Sequence, residues 1–243
     1  VKMSEYIEPS IRGLLLGTAV AGFSFFMDIS ISLPSYYNLR KQPRDYELYT
    51  EGWKAILTNM CIVNTPMYAF TIVHCVKSDL LVLSNIEPIR LLFLTMFHNL
   101  LYYYVHYFMH TNQVMMKIHG FHHKFDKVML PSVGNAVSKG EYILAYASPL
   151  VLGSWIFQVN EITLMSSAFL ISLFNLFIHC RELRDVTWVP KLVSPNKHIT
   201  HHEVKTRHFA APLFDFDEFM EVLPSNFKNK IVTFIFHYFN LLN

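Results

Sequence analysis

Eight of the 13 histidines fall in three short boxes: His106-x-x-x-His110, His119-x-x-His122-His123 and His198-x-x-His201-His202. The boxes occupy 15 of the 243 residues, a concentration that scatter does not produce. Residues four apart on a helix share a face, so His106 and His110 can aim their rings at one point. In each HxxHH the first histidine reaches the fourth and fifth positions, and the adjacent pair fans out by about 100°. Such a triplet can straddle two metals instead of crowding one.

Neutral imidazole suits zinc, copper, iron and nickel, whereas magnesium and calcium prefer oxygen. The Glu-x-x-His of soluble carboxylate-bridged di-iron proteins and the HExxH of zinc proteases are both absent. Eight histidines exceed the four ligands of a tetrahedral zinc, so the count favours two metals. The scattered His74, His98 and His237 read as packed, hydrogen-bonded residues.

The elements that must position the boxes are apolar. Hydrophobic residues make up 52% of the chain and charged ones 16%, against about a quarter charged in a soluble globule. The 21 phenylalanines and 13 tyrosines suit a lipid-facing protein with interfacial aromatic anchors. Gly13 to Leu33, Ile56 to Val76 and Leu91 to Phe108 read as membrane spans, the last running straight into the first box. Asp28 interrupts the first span and reads as an interface marker. Residues 34–54 read as a polar, Tyr-rich loop. Tyr142 to Phe157 and Ile162 to Ile178 read as a re-entrant hairpin that returns the chain to the face it left, where His179 joins the boxes. Phe227 to Leu242 reads as a segment that lies in the interface or packs under the catalytic region.

The fold class expected is therefore all-α: an integral membrane helical bundle of about four or five membrane helices, hairpin included, under a cytosolic cap of histidine boxes. Residues 1–90 would hold the N-terminal membrane helices, and residues 91–243 a catalytic region with the boxes, the hairpin and the C-terminal segment. Both box-bearing loops are rich in lysine and arginine, which places them in the cytosol by the positive-inside rule. Boxes in basic loops at span ends also argue against a transporter, whose sites lie near mid-bilayer. The net charge of +2, without a basic stripe, gives no support to nucleic acid as a partner. Cys61, Cys75 and Cys180 lack a disulfide pattern and read as reduced thiols.

HYFMH, HGFHH and HITHH, in this order and context, resemble the boxes of the fatty acid hydroxylase/sterol desaturase superfamily of membrane di-iron oxygenases. The similarity runs from about Tyr103 to Asp217. It implies His106, His110, His119, His122, His123, His198, His201 and His202 as ligands of two irons. It adds His179, which ends an NxxxH that begins at Asn175. It further implies O2-dependent hydroxylation or desaturation of an unactivated C–H bond in a lipid: a fatty acyl chain, a sphingolipid or a sterol. Electrons would come from a b-type cytochrome or an NAD(P)H-dependent reductase, in the endoplasmic reticulum membrane. Zinc can stand in for iron in a purified sample, and a divergent, non-catalytic membrane protein with structural zinc is the alternative. Glu141 resembles the glutamate that opens the family's hairpin. Phe209 and Asp217 keep the family's spacing after the third box. His208 stands where the family has asparagine, and the usual Gly-Thr is missing, which leaves hydroxylation, desaturation and decarbonylation open.

Overall fold

The computed structural model describes residues 2–78 and 81–222; the apolar segment 227–242 and His237 lie outside the described residues. Helices α1 (Ile7–Ser30), α2 (Leu33–Leu39), α3 (Pro43–Leu57) and α4 (Asn64–His74) precede α5 (Pro88–Thr111) and α6 (Gln113–His119). The short turn α7 (Lys139–Glu141) leads to α8 (Ser148–Phe157), α9 (Glu161–Ile178), α10 (Pro195–Val204) and α11 (Phe216–Val222). There is no named strand among the described residues, and the chain is an all-α membrane bundle. Three helical stretches, Met3–Ser30, Pro43–His74 and Glu161–Ile178, are long and apolar enough to cross a membrane. The expected third span, α5, has 24 residues, but Thr95, His98, Asn99 and four tyrosines make it more polar than those three.

Residues 34–54, expected as a loop, are largely helical. Proline opens both α2 and α3, where its fixed φ is favourable and its missing N–H is not needed. Tyr49, Gly52 and Ile56 bury one face of α3, so the polar residues that suggested a loop are the solvated face of an amphipathic helix.

Asp28 also departs from expectation. It is fully buried and accepts hydrogen bonds from the Tyr49 hydroxyl and the Ser132 N–H, both at 2.8 Å. A carboxylate with such partners ties helices together and does not face the interface.

A π-helical turn, Thr58–Val63, joins α3 to α4, and another, Tyr142–Ala147, leads into α8. A proline follows each, Pro66 and Pro149; neither can donate an N–H, and the helix widens just ahead of it. Hydroxyls take up carbonyls there, Thr65 Oγ1 donating to Cys61 at 2.6 Å and Ser148 Oγ to Ile143 at 2.7 Å. Helix α1 meets the first π-turn at Gly17, where a Cβ would stand 1.8 Å from the Met60 carbonyl oxygen. Only glycine permits that approach.

The far ends of α1 and α9 are joined by a buried ion pair. Arg12 Nε donates to Glu161 Oε1 at 2.7 Å, and the Tyr68 hydroxyl donates to the same oxygen at 2.6 Å. Asn160 caps α9 through Thr163 N–H. From there α9 runs about 27 Å and delivers His179 beside the three boxes.

Candidate metal centre

Each box acquires its geometry locally. His106 and His110 stand one turn apart on α5. Asn112 caps α6 by accepting the N–H groups of Val114 and Met115, and α6 ends on His119. His122 and His123 follow in a 3-10 turn. Ser194 caps α10 by accepting the Lys197 N–H, and Pro195 starts that helix. His198, His201 and His202 then share one face of it.

The structure brings all nine sequence-predicted histidines together, in two groups. One holds His106, His110, His119, His123 and His201, the other His122, His179, His198 and His202. Each adjacent pair splits: His122 and His202 turn to the second group, His123 and His201 to the first. All nine are buried except His110, which is partly exposed.

Hydrogen bonding fixes which nitrogen faces inward. His106 Nδ1–H donates to the Phe209 carbonyl at 2.8 Å, His122 to Ala136 at 3.3 Å, His179 to Asn175 at 2.6 Å and His201 to Arg207 at 2.8 Å. His119 Nδ1–H donates to Glu141 Oε1 at 2.8 Å. His123 and His202 both donate to Asp126 Oδ1, at 3.2 and 2.8 Å. With Nδ1 protonated in these seven rings, each Nε2 carries a lone pair.

The Nε2 atoms converge. In the first group His106 Nε2 stands 3.0 Å from that of His119 and 3.2 Å from that of His110, which is 3.2 Å from that of His123. In the second, His179 Nε2 lies 3.0 Å from that of His198 and 3.3 Å from those of His122 and His202. Acceptors cannot hydrogen-bond one another, so such a cluster is repulsive without a cation. Imidazole–metal bonds near 2.1 Å set at roughly right angles give nitrogen separations of about 3 Å. The donor set fits a first-row transition metal in each group.

The electrostatics agree. Burial, followed by neighbouring histidines, holds His122, His198 and His202 well below the ordinary histidine range. Burial likewise lowers His119 and His201 and brings His179 down to about 4. These six rings are therefore held neutral, the form that binds metal. Burial pushes the Glu141 carboxyl well above its usual range. Partial burial alone would raise Asp126, but hydrogen bonds from His123 and Lys205 outweigh it and hold its carboxyl low.

The residues around the rings were partly invisible in the sequence. Glu141 was singled out by resemblance only, and Asp126 not at all; its signal was a carboxylate three residues beyond His123. The loop after α10 covers the first group, Phe209 packing on His110 and His201 with ring centroids 5.3 and 5.6 Å apart. Asn99 Oδ1 accepts the N–H groups of Leu213 and Phe214, and Asp217 accepts that of Ala210. His208 adopts φ 60°, a left-handed conformation that asparagine and histidine tolerate better than most residues. The replacement noted in the sequence is therefore compatible with the turn. Asn175 Nδ2 donates to the Gly134 carbonyl and places its own carbonyl under His179.

With this geometry in place, the family comparison is decisive. The model described as "Fatty acid hydroxylase" matches residues 91–221, more than half of the chain, and the protein belongs to that family. No curated protein and no solved structure matches it.

Proposed function

We propose that the chain is a membrane-bound di-iron oxygenase that hydroxylates or desaturates an unactivated C–H bond of a lipid. The class comprises fatty acyl chains, sphingolipids and sterols. The observation that supports it is the inward convergence of imidazole lone pairs in two separate groups. On this reading His106, His110, His119, His123 and His201 hold one iron, and His122, His179, His198 and His202 the other. Two bound irons supply O2-activating redox chemistry, drawing electrons from a b-type cytochrome or an NAD(P)H-dependent reductase.

The chain's own residues hold, orient and exclude. Nδ1 donors to carbonyls and carboxylates fix each ring's tautomer and direction. Phe209 packs on the rings of His106, His110 and His201 and helps keep bulk water away. The histidines serve as ligands and not as acid–base groups, since a metal-bound imidazole has no lone pair to accept a proton. Lysine and arginine around the boxes favour a cytosolic site in the endoplasmic reticulum membrane.

Structural zinc is the competing reading. Nine inward-facing imidazoles exceed the four that a closed zinc site uses. Zinc content alone does not discriminate, because zinc outranks ferrous iron in affinity and replaces it. Anaerobic purification with iron quantification, paired with lipid profiling of cells with and without the protein, tests the proposal. His122→Ala or His202→Ala abolishes both iron retention and turnover. Full activity in either variant overturns the reading.

A further inference from the structure

Residues of α1, α4, α5, α8 and α9 line a partly open cavity of about 90 Å³. Polar groups on its wall are mostly engaged. The Tyr68 hydroxyl donates to Glu161, Thr71 Oγ1 to the Met67 carbonyl, Tyr142 to Asn64, and Asn135 Nδ2 to Ser24. His98 is the exception. It is fully buried, lines the cavity, and neither ring nitrogen has a well-formed hydrogen bond. The Tyr146 backbone carbonyl faces the ring, and no ionised side chain acts on it.

A neutral imidazole carries one N–H and one lone pair. With the N–H turned to the Tyr146 carbonyl, the remaining nitrogen is an acceptor without a donor, an arrangement proteins rarely leave buried. The partner it lacks must bring a hydrogen-bond donor and otherwise be apolar. An amide would leave its own carbonyl unpaired against this wall, whereas a hydroxyl fits.

A second hollow adjoins the cavity. It lies between α4 and α8, is lined by Pro66, Phe70, Leu152 and Trp155, and shares Met67 and Val151 with the cavity. Phe70 and Trp155 are exposed, Phe70 on a stretch long and apolar enough to cross a membrane, so an apolar molecule in the bilayer can meet the hollow. The cavity admits about three water-sized groups, enough for the end of a chain but not its body.

We propose that the α4–α8 groove and the cavity behind it receive a lipid alcohol, its hydrocarbon body in the groove and its free hydroxyl donating to His98. This deepens the oxygenase reading by naming the lipid class, and rests on it for the site's purpose. His98 lies eight residues before His106, about 12 Å along the helix axis, with the Tyr102 ring between them. It therefore selects and positions, and touches no reacting atom.

The test uses the full chain in lipid nanodiscs and two probes with the same sixteen-carbon chain, tritiated cetyl alcohol and its methyl ether, which cannot donate. The wild-type chain prefers the alcohol by about tenfold, the worth of one buried hydrogen bond. His98→Leu binds both at the level of the ether, and His98→Gln, whose amide oxygen can accept, regains part of the preference. Val151→Phe, which narrows the passage without touching His98, weakens the alcohol toward the same level. His122→Ala keeps the preference while losing iron, which separates this proposal from the oxygenase reading. Equal binding of the two probes by wild type overturns the proposal, as does an undiminished preference in His98→Leu. Should that variant fail to fold, undiminished alcohol binding in Val151→Phe overturns it instead.

Discussion

The two histidine groups draw on the same three boxes but are held differently. The four-ring group is wholly buried and leans on the membrane hairpin: His179 ends α9, and the Asn175 carbonyl fixes its ring. The five-ring group lies under the loop after α10, which supplies the Arg207 and Phe209 carbonyls, and it reaches the surface at His110. One is set by the bilayer-embedded scaffold, the other by a cap of irregular backbone. Four ligands leave no spare, whereas five leave one.

That contrast breaks most clearly by deletion. On the di-iron reading, His179→Ala takes the small group to three rings and costs iron retention with essentially all turnover. His110→Ala leaves four rings in the large group and keeps most of its iron. Metal analysis beside product analysis reads both, and equal losses in the two variants would erase the distinction.

Asp126 is where the groups meet, since one carboxylate oxygen receives both His123 and His202 while the other receives Lys205. Asp126→Asn weakens both metals together by about 10- to 100-fold, the usual cost of losing such a partner. A titration in which only one metal weakens would show that the groups are independent.

Acid sharpens the comparison further. Burial holds His122, His179, His198 and His202 neutral, so the unfolded chain takes up protons first as pH falls. The metal-free protein is thus most stable above the ordinary histidine value of about 6.5 and loses stability as pH drops through it. For His179 the loss is complete near its folded value of about 4. Thermal unfolding of the metal-free chain in detergent across this range should show a falling midpoint, and a flat profile would contradict neutral rings.

The smallest effect belongs to Gly134, where a Cβ would stand 2.7 Å from His179 Nδ1 and from the Asn175 carbonyl oxygen. Gly134→Ala shifts His179 and lowers iron in the four-ring group alone, which metal analysis at limiting iron detects.

The boxes were legible because their spacing is a local property: i, i+3 and i+4 relations survive any tertiary arrangement. The helical spans were legible for the same reason, as runs of apolar side chains. Asp126 and the carbonyls of Ala136, Arg207 and Phe209 were not, because they reach the rings only through folding. Asp28 misled since a carboxylate near a span end usually meets water, and its partners Tyr49 and Ser132 lie 21 and 104 residues away. Residues 34–54 misled since solvated polar side chains look alike on a loop and on one face of a helix.

His122 and His123 are bonded neighbours that serve different groups, as are His201 and His202. If each group takes an ion, whichever arrives first would freeze two peptide units that also carry rings for the second. The later ion meets partners already ordered, so filling is cooperative without any movement of helices. On the di-iron reading, a chain holding a single iron would then be the scarcest species at half-saturation.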